Sequence, residues 1–233
     1  MQSALSTALA AAIVLSCAQH AEAQAFSIDF GFRAGVPGID FDGASTPEAP
    51  QAGIWLIPTT NGNYINFVGV FDINFDLTDV TMTSDRPVIS SANTTIGGNR
   101  DLVGLVADGI EIGGPTFRSG PAIGPLTLTL DGIENGSYEI ITYTAPYLDF
   151  IASVEVTING DSQTAGGDFP SLFFVEGVTH TRHQTNITDN LLTMHYETVT
   201  GQGVINGFQI IPIPAPASLI LLPAWAAITQ RRR

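Results

Sequence analysis

The chain has 233 residues, a formal net charge of −14 and one cysteine, Cys17. This length predicts one domain with a sizeable core, and a single cysteine excludes an intramolecular disulfide. Lysine is absent and most of the eight arginines are scattered singly, so no basic patch could neutralise a row of phosphates, which argues against a nucleic-acid partner.

The first 23 residues are typical of a signal peptide. An apolar stretch from Ala4 to Ala18 precedes Ala21 and Ala23, the small residues of an A-x-A cleavage site, so we expect signal peptidase to leave Gln24 as the first residue. No Lys or Arg precedes the apolar stretch, which departs from the usual pattern. Two alternatives stay open: a lipid tether on Cys17, whose preceding residues faintly resemble a lipobox, and a buried structural helix.

Between residues 24 and 211 the sequence predicts strands separated by turns. Apolar residues alternate with polar ones, and Thr, Val, Ile, Tyr and Phe dominate. Turn pairs such as Asn159-Gly160 and Asp131-Gly132 lie between these segments, and no long segment has a helical apolar period. The predicted strands are Phe26–Phe32, Tyr64–Phe71, Leu77–Thr83, Leu126–Leu130, Tyr138–Thr144, Val154–Ile158, Leu191–Tyr196 and Val204–Ile211. The pattern predicts an all-β, antiparallel β-sandwich over residues 24–211, with a signal helix in residues 1–23 and a short apolar helix in residues 212–233.

Three aspartates follow the second predicted strand. Asp72, Asp76 and Asp79 could supply oxygen ligands to calcium, but their spacing lacks the order of a compact calcium loop. A solvated acidic face is the simpler interpretation. We predict no cofactor and keep these residues as candidates for a structural calcium ion.

The second half of the body carries three motifs in order. They are Leu128–Ile141, which contains Gly-Ser-Tyr-Glu-Ile; Val154–Gly160, which ends in Ile-Asn-Gly; and Gly203–Ile210, which contains Ile-Asn-Gly. This order resembles the galactose-binding-like jelly roll of malectin-like and other carbohydrate-binding modules. The resemblance implies a jelly-roll sandwich and a polysaccharide ligand, although a fold does not fix a function.

Sugar recognition needs aromatic faces beside polar groups. By residue type the candidates are Tyr147, Tyr143, Trp55 and His180, with Tyr64 as a further one; Tyr147 lies in the most loop-like sequence, and Trp55 is better explained as a core residue.

Catalytic and metal-site patterns are weak. His180 and His183 could suggest zinc, but residues three apart on a strand face opposite sides of a sheet. His195 lies in a predicted strand, where it is expected on the solvent face. The sequence has no nucleophile elbow and no phosphate-binding glycine loop, and among 22 acidic residues a carboxylate pair at hydrolase spacing is expected by chance. A non-enzyme is therefore favoured.

The chain ends in an apolar run capped by arginines. Pro214-Ala215-Pro216 opens it, residues rich in Leu, Ile and Ala follow, and Arg231, Arg232 and Arg233 close it. A bilayer core needs about 20 apolar residues. Since this run is shorter and Pro223 interrupts it, we expect transient membrane contact, with the arginines on the cytoplasmic side.

This tail resembles the PEP-CTERM sorting signal of Gram-negative bacteria. In that family an exosortase of the inner membrane recognises the tail, and the passenger reaches the cell surface or an exopolysaccharide matrix. Ala215 stands where the family usually has Glu, and Pro223 interrupts the run; a plain C-terminal membrane anchor is the alternative.

Together these features predict an exported, non-catalytic protein of the cell surface or extracellular matrix. Its expected partners are signal peptidase and exosortase during export, and an extracellular polysaccharide afterwards. The alternatives are a carbohydrate-active enzyme of an unrecognised family and a lipoprotein tethered through Cys17.

Overall fold

The computed structural model describes residues 24–30, 55–56, 64–92, 105, 108–113, 123–144, 152–168 and 173–214. These residues form an almost entirely β structure, as predicted. Within the described ranges, no helix is long and apolar enough to cross a membrane. In chain order the strands are β1 Phe26–Asp29, β2 Trp55–Leu56, β3 Tyr64–Val68, β4 Thr81–Pro87, β5 Ser90–Ala92, β6 Asp108–Gly113, β7 Leu126–Asp131, β8 Gly136–Tyr143, β9 Ser153–Ile158, β10 Asp161–Gly166, β11 His180–Ile187, β12 Leu191–Thr200, β13 Gly203–Ile205 and β14 Gly207–Pro212.

Two large sheets and one small sheet make up the sandwich. The five-stranded sheet has the order β11-β8-β14-β1-β2, the six-stranded sheet has the order β10-β9-β12-β7-β4-β3, and the small sheet has the order β13-β6-β5. The predicted β-sandwich of jelly-roll type is confirmed. One pairing differs from the fully antiparallel expectation, because β2 runs parallel to β1.

The core lies between the two large sheets and follows the predicted alternation. In β7, Leu126, Leu128 and Leu130 are fully buried, whereas Thr127 and Thr129 are half-buried on the outer face. The same period occurs in β9, as expected when one face of an antiparallel strand packs on the core and the other faces solvent. Because every second side chain enters the core, the pleat of each strand decides which residues are left for the surface.

β1 departs from the predicted half-buried pattern. All four of its residues are buried, and the polar Ser27 and Asp29 retain at most 1% of their surface. β1 lies inside the five-stranded sheet between β14 and β2, and both of its faces are covered. Residues 31 and 32 of the predicted strand lie outside the described residues.

Other predicted strands also have different bounds. β3 ends at Val68 instead of Phe71, and β4 begins at Thr81 instead of Leu77. The residues between them form a loop in which Phe71 pairs with Leu77 through an isolated bridge. The predicted strand Val204–Ile211 is divided into β13 and β14, which belong to different sheets.

The Asn159-Gly160 turn was predicted correctly. Both residues have positive φ, 49° and 83°, and they join β9 to β10 as a two-residue hairpin. This backbone twist matches the twist of the paired strands, and it explains why Asn-Gly occurs there. β10 and β11 were not predicted, because their sequences are largely polar and lack an apolar alternation.

Candidate functional site

The outer face of the five-stranded sheet carries polar side chains where β8 and β11 run side by side. The alternate residues of β8 enter the core, so Ser137 and Glu139 point outward. The antiparallel register places Asn186 opposite Ser137 and Gln184 opposite Glu139. Together with Arg182, the next outward residue of β11, these side chains form what we call the polar strip.

An open depression of about 400 Å³ lies at one end of the polar strip. Ser137, Gln184 and Asn186 line it together with Thr185 and Ile213. The Ser137 hydroxyl donates to Asn186 Oδ1 at 2.6 Å, and the backbone N–H of Ile213 donates to the Ser137 carbonyl at 2.8 Å. These bonds fix the Asn186 amide and the Ile213 backbone. The depression therefore offers oriented amide and hydroxyl groups beside one apolar side chain.

An ion pair occupies the middle of the polar strip. Arg182 Nη1 lies 2.5 Å from Glu139 Oε2, and its Nε lies 3.6 Å from Glu176 Oε2. The Gln163 amide of β10 donates to the Arg182 carbonyl at 2.7 Å, and Gln163 Oε1 accepts from the Arg182 backbone N–H at 3.2 Å. The Arg182 guanidinium thus contacts two carboxylates, and the β9–β10 hairpin binds the Arg182 backbone through the Gln163 amide.

An aromatic cluster closes the other end of this face. The ring centroids of Tyr143 and Phe174 are 5.2 Å apart, and His180 lies 6.0 Å from the first and 6.2 Å from the second. His180 Nδ1 is 3.1 Å from the Thr179 hydroxyl. Burial, followed by the nearby positive charge of Arg182, lowers the pKa of His180 to about 4. The cluster is therefore packed around a neutral imidazole at neutral pH.

The aromatic ligand candidates are distributed unevenly. Tyr143 and His180 are brought together, but they are 0% and 3% exposed, so neither presents a ring face to solvent. The Tyr143 hydroxyl donates to Gln209 Oε1 in the interior. Trp55 lies on β2 next to β1, and only its backbone is described. Tyr147 lies outside the described residues, whereas Tyr64, on β3, is 55% exposed.

The two histidines of β11 are both buried. His180 faces outward, whereas His183 faces the core and its Nε2 lies 3.2 Å from the Val156 carbonyl. The two imidazoles therefore lie on opposite faces, as the strand period predicts. Burial lowers the pKa of His183 as well. His195 lies on the outer face of the six-stranded sheet, where its Nδ1 is 3.1 Å from the Thr127 hydroxyl.

The calcium candidates lie in the loop between β3 and β4. Asp72 Oδ1 accepts from the backbone N–H groups of Asn74 at 2.8 Å and Asp76 at 3.0 Å, so this carboxylate closes its own turn. Asp76 and Asp79 are exposed. Among the residues that the structure describes, no three His, Cys, Asp or Glu side chains come together to hold a metal ion. The structural calcium remains a prediction.

Most of the export and sorting residues lie outside the described ranges. Ala21 and Ala23 precede them, and Ala215, Pro216 and Arg231–Arg233 follow them. Gln24, the expected first residue, is described, and its Oε1 accepts from the Glu134 backbone N–H at 3.4 Å. Pro214 is the last described residue.

The residues of the depression were missed by sequence reasoning, which looked for aromatic rings. The polar run His180–Ile187 does carry a signal, because Gln184 and Asn186 are two apart and so share one face of any strand. Their neighbours Ser137 and Ile213 are distant in sequence, and only the register of β8, β11 and β14 brings them close.

No family model matches the sequence, and no curated protein matches it. Among solved structures, the CBM36-1 domain of a xylanase from the hindgut metagenome of Trinervitermes trinervoides is 12% identical, with a TM-score of 0.31 over 58% of this chain and 99% of that one. A family 35 carbohydrate-binding module from Clostridium thermocellum is 10% identical, with a TM-score of 0.29 over 58% and 93%. The exo-β-1,3-galactanase of Phanerochaete chrysosporium is 10% identical, with a TM-score of 0.33; the match covers 55% of this chain but only 27% of that enzyme. Likeness of this degree carries no argument about ligand or activity.

Proposed function

We propose that the chain is an exported, non-catalytic β-sandwich protein that binds polysaccharide in the depression at the end of the polar strip. The observation that carries this proposal is the set of outward polar side chains that line the depression, Ser137, Gln184 and Asn186, together with Ile213. Amides both donate and accept hydrogen bonds, as sugar hydroxyls do, and the apolar side chain suits the C–H face of a pyranose ring.

The preorganisation of this surface supports binding. Thr185 Oγ1 accepts from the Asn159 amide, which ties the depression to the β9–β10 turn. Asn186 is held by Ser137, and both lie on paired strands. Side chains fixed before the ligand arrives lose less conformational entropy on binding than mobile ones. Because the depression is open, it suits a chain that extends beyond the bound residue.

Binding without catalysis fits the charges of this face. None of the described residues that line the depression is acidic, whereas glycoside hydrolysis needs two carboxyl groups about 5–10 Å apart across the bond. Glu139 of the polar strip and Glu176, which precedes β11, both contact the Arg182 guanidinium. That arrangement is typical of an ion pair that stabilises a structure.

Export and sorting belong to the same proposal and depend on the two ends of the sequence. The A-x-A site before Gln24 would release the mature chain, and the PEP-CTERM-like tail after Pro214 would bring it to an exosortase. The mature protein would then act at the cell surface or in an exopolysaccharide matrix.

Ligand binding is tested with the protein purified from its native cell surface. A glycan array would select the ligand class, and native affinity gels cast with soluble galactan, xylan or mannan would measure retardation. We expect the double variant Gln184→Ala/Asn186→Ala to lose about 2 kcal/mol, or roughly 30-fold in affinity, because about two hydrogen bonds are removed.

The matched control is Thr129→Ala/Thr193→Ala, which shortens two outward polar side chains on the six-stranded sheet. This control should bind like the parent protein, and both double variants should melt at the parent temperature. Equal loss of binding in both, or no glycan bound by the parent, would overturn the proposal. Release of reducing sugar from a bound glycan would instead support the enzyme alternative.

A further inference from the structure

The loop between β3 and β4 displays an apolar patch to solvent. Val68, Phe71, Phe75 and Leu77 are 83%, 40%, 61% and 65% exposed, and we call these four side chains the apolar patch. Phe71 and Leu77 pair across the loop, and Leu77 packs over Gly69, the residue that follows Val68. Single apolar side chains scattered on a surface need no explanation, but four exposed large ones between Val68 and Leu77 are typical of a docking surface.

This loop is held in one conformation although its side chains are exposed. The Ile73 N–H donates to the Ala25 carbonyl at 3.0 Å, and the Thr78 hydroxyl donates to the Val70 carbonyl at 2.6 Å. Phe75 has a φ of 69°, in the left-handed region that aromatic residues rarely adopt. An exposed aromatic residue in a strained conformation, on a loop fixed by hydrogen bonds, indicates a surface formed in advance for a partner.

The apolar patch has a negative rim. The segment from Val68 to Asp79 contains three aspartates and no basic residue. Asp72 and Asp76 flank the turn that carries Phe75, and Asp79 follows Leu77. The partner should therefore combine apolar side chains with positive charge.

One segment of this chain has that composition. Of the 19 residues that follow Pro214, Leu219–Leu222 are consecutive large apolar residues and Arg231–Arg233 are consecutive cations. The chain leaves the sandwich near the loop: Phe26 of β1 pairs with Ile210 of β14, so the end of β14 lies beside the residues that precede β1. A chain of this length can span up to about 60 Å when extended, which is ample.

We propose that the apolar patch binds the chain's own C-terminal segment before that segment is removed. Leu219–Leu222 would pack on Phe71, Phe75 and Leu77, and Arg231–Arg233 would lie over the aspartate rim. This docking would keep the apolar run out of water until a membrane accepts it. The proposal does not depend on the identity of the sorting system or on polysaccharide binding.

The N-terminal segment is the competing occupant, since it is also apolar and enters the sandwich beside the same loop. It lacks the complementary charge. Residues 1–23 contain no Lys or Arg, and Glu22 adds a further negative charge. Charge complementarity therefore selects the C-terminal segment.

Photo-crosslinking of the full chain tests this assignment. Phe75 is replaced by p-benzoylphenylalanine, the protein is irradiated at low micromolar concentration, and the adducts are mapped by peptide mass spectrometry. The matched control carries the same group at Phe173, which is 69% exposed and lies outside the apolar patch. We expect an intramolecular adduct with residues 215–233 from position 75 and none from position 173.

The charge part of the proposal has its own variant. The triple variant Arg231→Glu/Arg232→Glu/Arg233→Glu would replace the proposed attraction to the aspartates by repulsion, so it should lower the yield of this adduct about tenfold at low ionic strength. Half-molar salt should lower the yield of the parent in the same direction. An adduct with residues 1–23, an adduct between two chains, or no adduct from position 75 would overturn the proposal, as would an unchanged yield in the triple variant.

Discussion

Acidification should destabilise the fold through His180. Burial between Tyr143 and Phe174, together with Arg182, lowers the pKa of this imidazole from its ordinary 6.5 to about 4. Between pH 6.5 and pH 4, His180 is therefore protonated in the unfolded chain but neutral in the folded chain. The stabilisation by the neutral imidazole is complete above pH 6.5 and is lost as the pH falls through this window.

The magnitude follows from the size of the shift. Each unit of pKa difference corresponds to about 1.36 kcal/mol, so the folded state should lose about 3 kcal/mol between pH 7 and pH 4 through this one residue. Many domains have a total stability of only about 5–15 kcal/mol, so the loss is large enough to measure. The lowered pKa of His183 acts in the same direction.

The assay is urea denaturation at pH 7, 6, 5 and 4, followed by intrinsic fluorescence, for the parent and for His180→Gln. The carboxylates titrate in both proteins, so the difference between the two curves isolates His180. At pH 7 the variant should be less stable than the parent, because the packing of the imidazole ring is lost. The difference in the free energy of unfolding between parent and variant should then decrease by about 3 kcal/mol toward pH 4. Thr193→Ala, a substitution on the outer face of β12, is the control, and its stability should vary with pH as that of the parent does. Parallel curves for the parent and His180→Gln would refute the reasoning.

Two further predictions concern the backbone and the chain ends. A methyl group on Gly207 would meet the carbonyl of Ile28 in the neighbouring strand, so Gly207→Ala should lower the free energy of unfolding by about 3 kcal/mol in a denaturant titration. A methyl group on Gly160 meets open space, so Gly160→Ala should lower it by only about 1 kcal/mol, through the positive φ of that residue. Equal losses in the two variants would contradict this reasoning. For the proposed export route, intact-mass analysis of the protein purified from its native cells should give a start at Gln24 and a cut near Pro216. A lipid on Cys17 or an intact C-terminus would contradict the proposed route.

The sequence predicted those parts of the fold that depend on local pattern. The alternation of Leu and Thr in β7 and the Asn159-Gly160 turn could be identified because side-chain period and turn chemistry act within a few residues. β1 was predicted with one solvated face because its apolar and polar residues alternate. Nothing in that local pattern indicates that other parts of the chain cover both faces of the strand. β11 was missed because a strand that buries His183 and Thr181 has no apolar period.

The candidate site was harder to predict for a related reason. Gln184 and Asn186 share a strand face, but Ile213 and Ser137 join them only through pairings with other strands. Tyr143 and His180 were chosen by residue type, but both rings are buried and Phe174 packs against them. Residue type can suggest a chemistry, but exposure depends on long-range contacts.

The pairing of β1 with β14 has a consequence for the order of folding. Ser27 and Gln209 are 182 residues apart in the chain, yet their side chains meet in the middle of the five-stranded sheet. A contact between residues so far apart in the sequence is expected to form late in folding, because nearly the whole polypeptide between them must be ordered first. A chain emerging from a translocation pore cannot complete this sheet until its last strand has crossed. In the export route proposed above, this sheet would close only when transport is nearly finished, so the chain could pass a channel that accepts unfolded polypeptides.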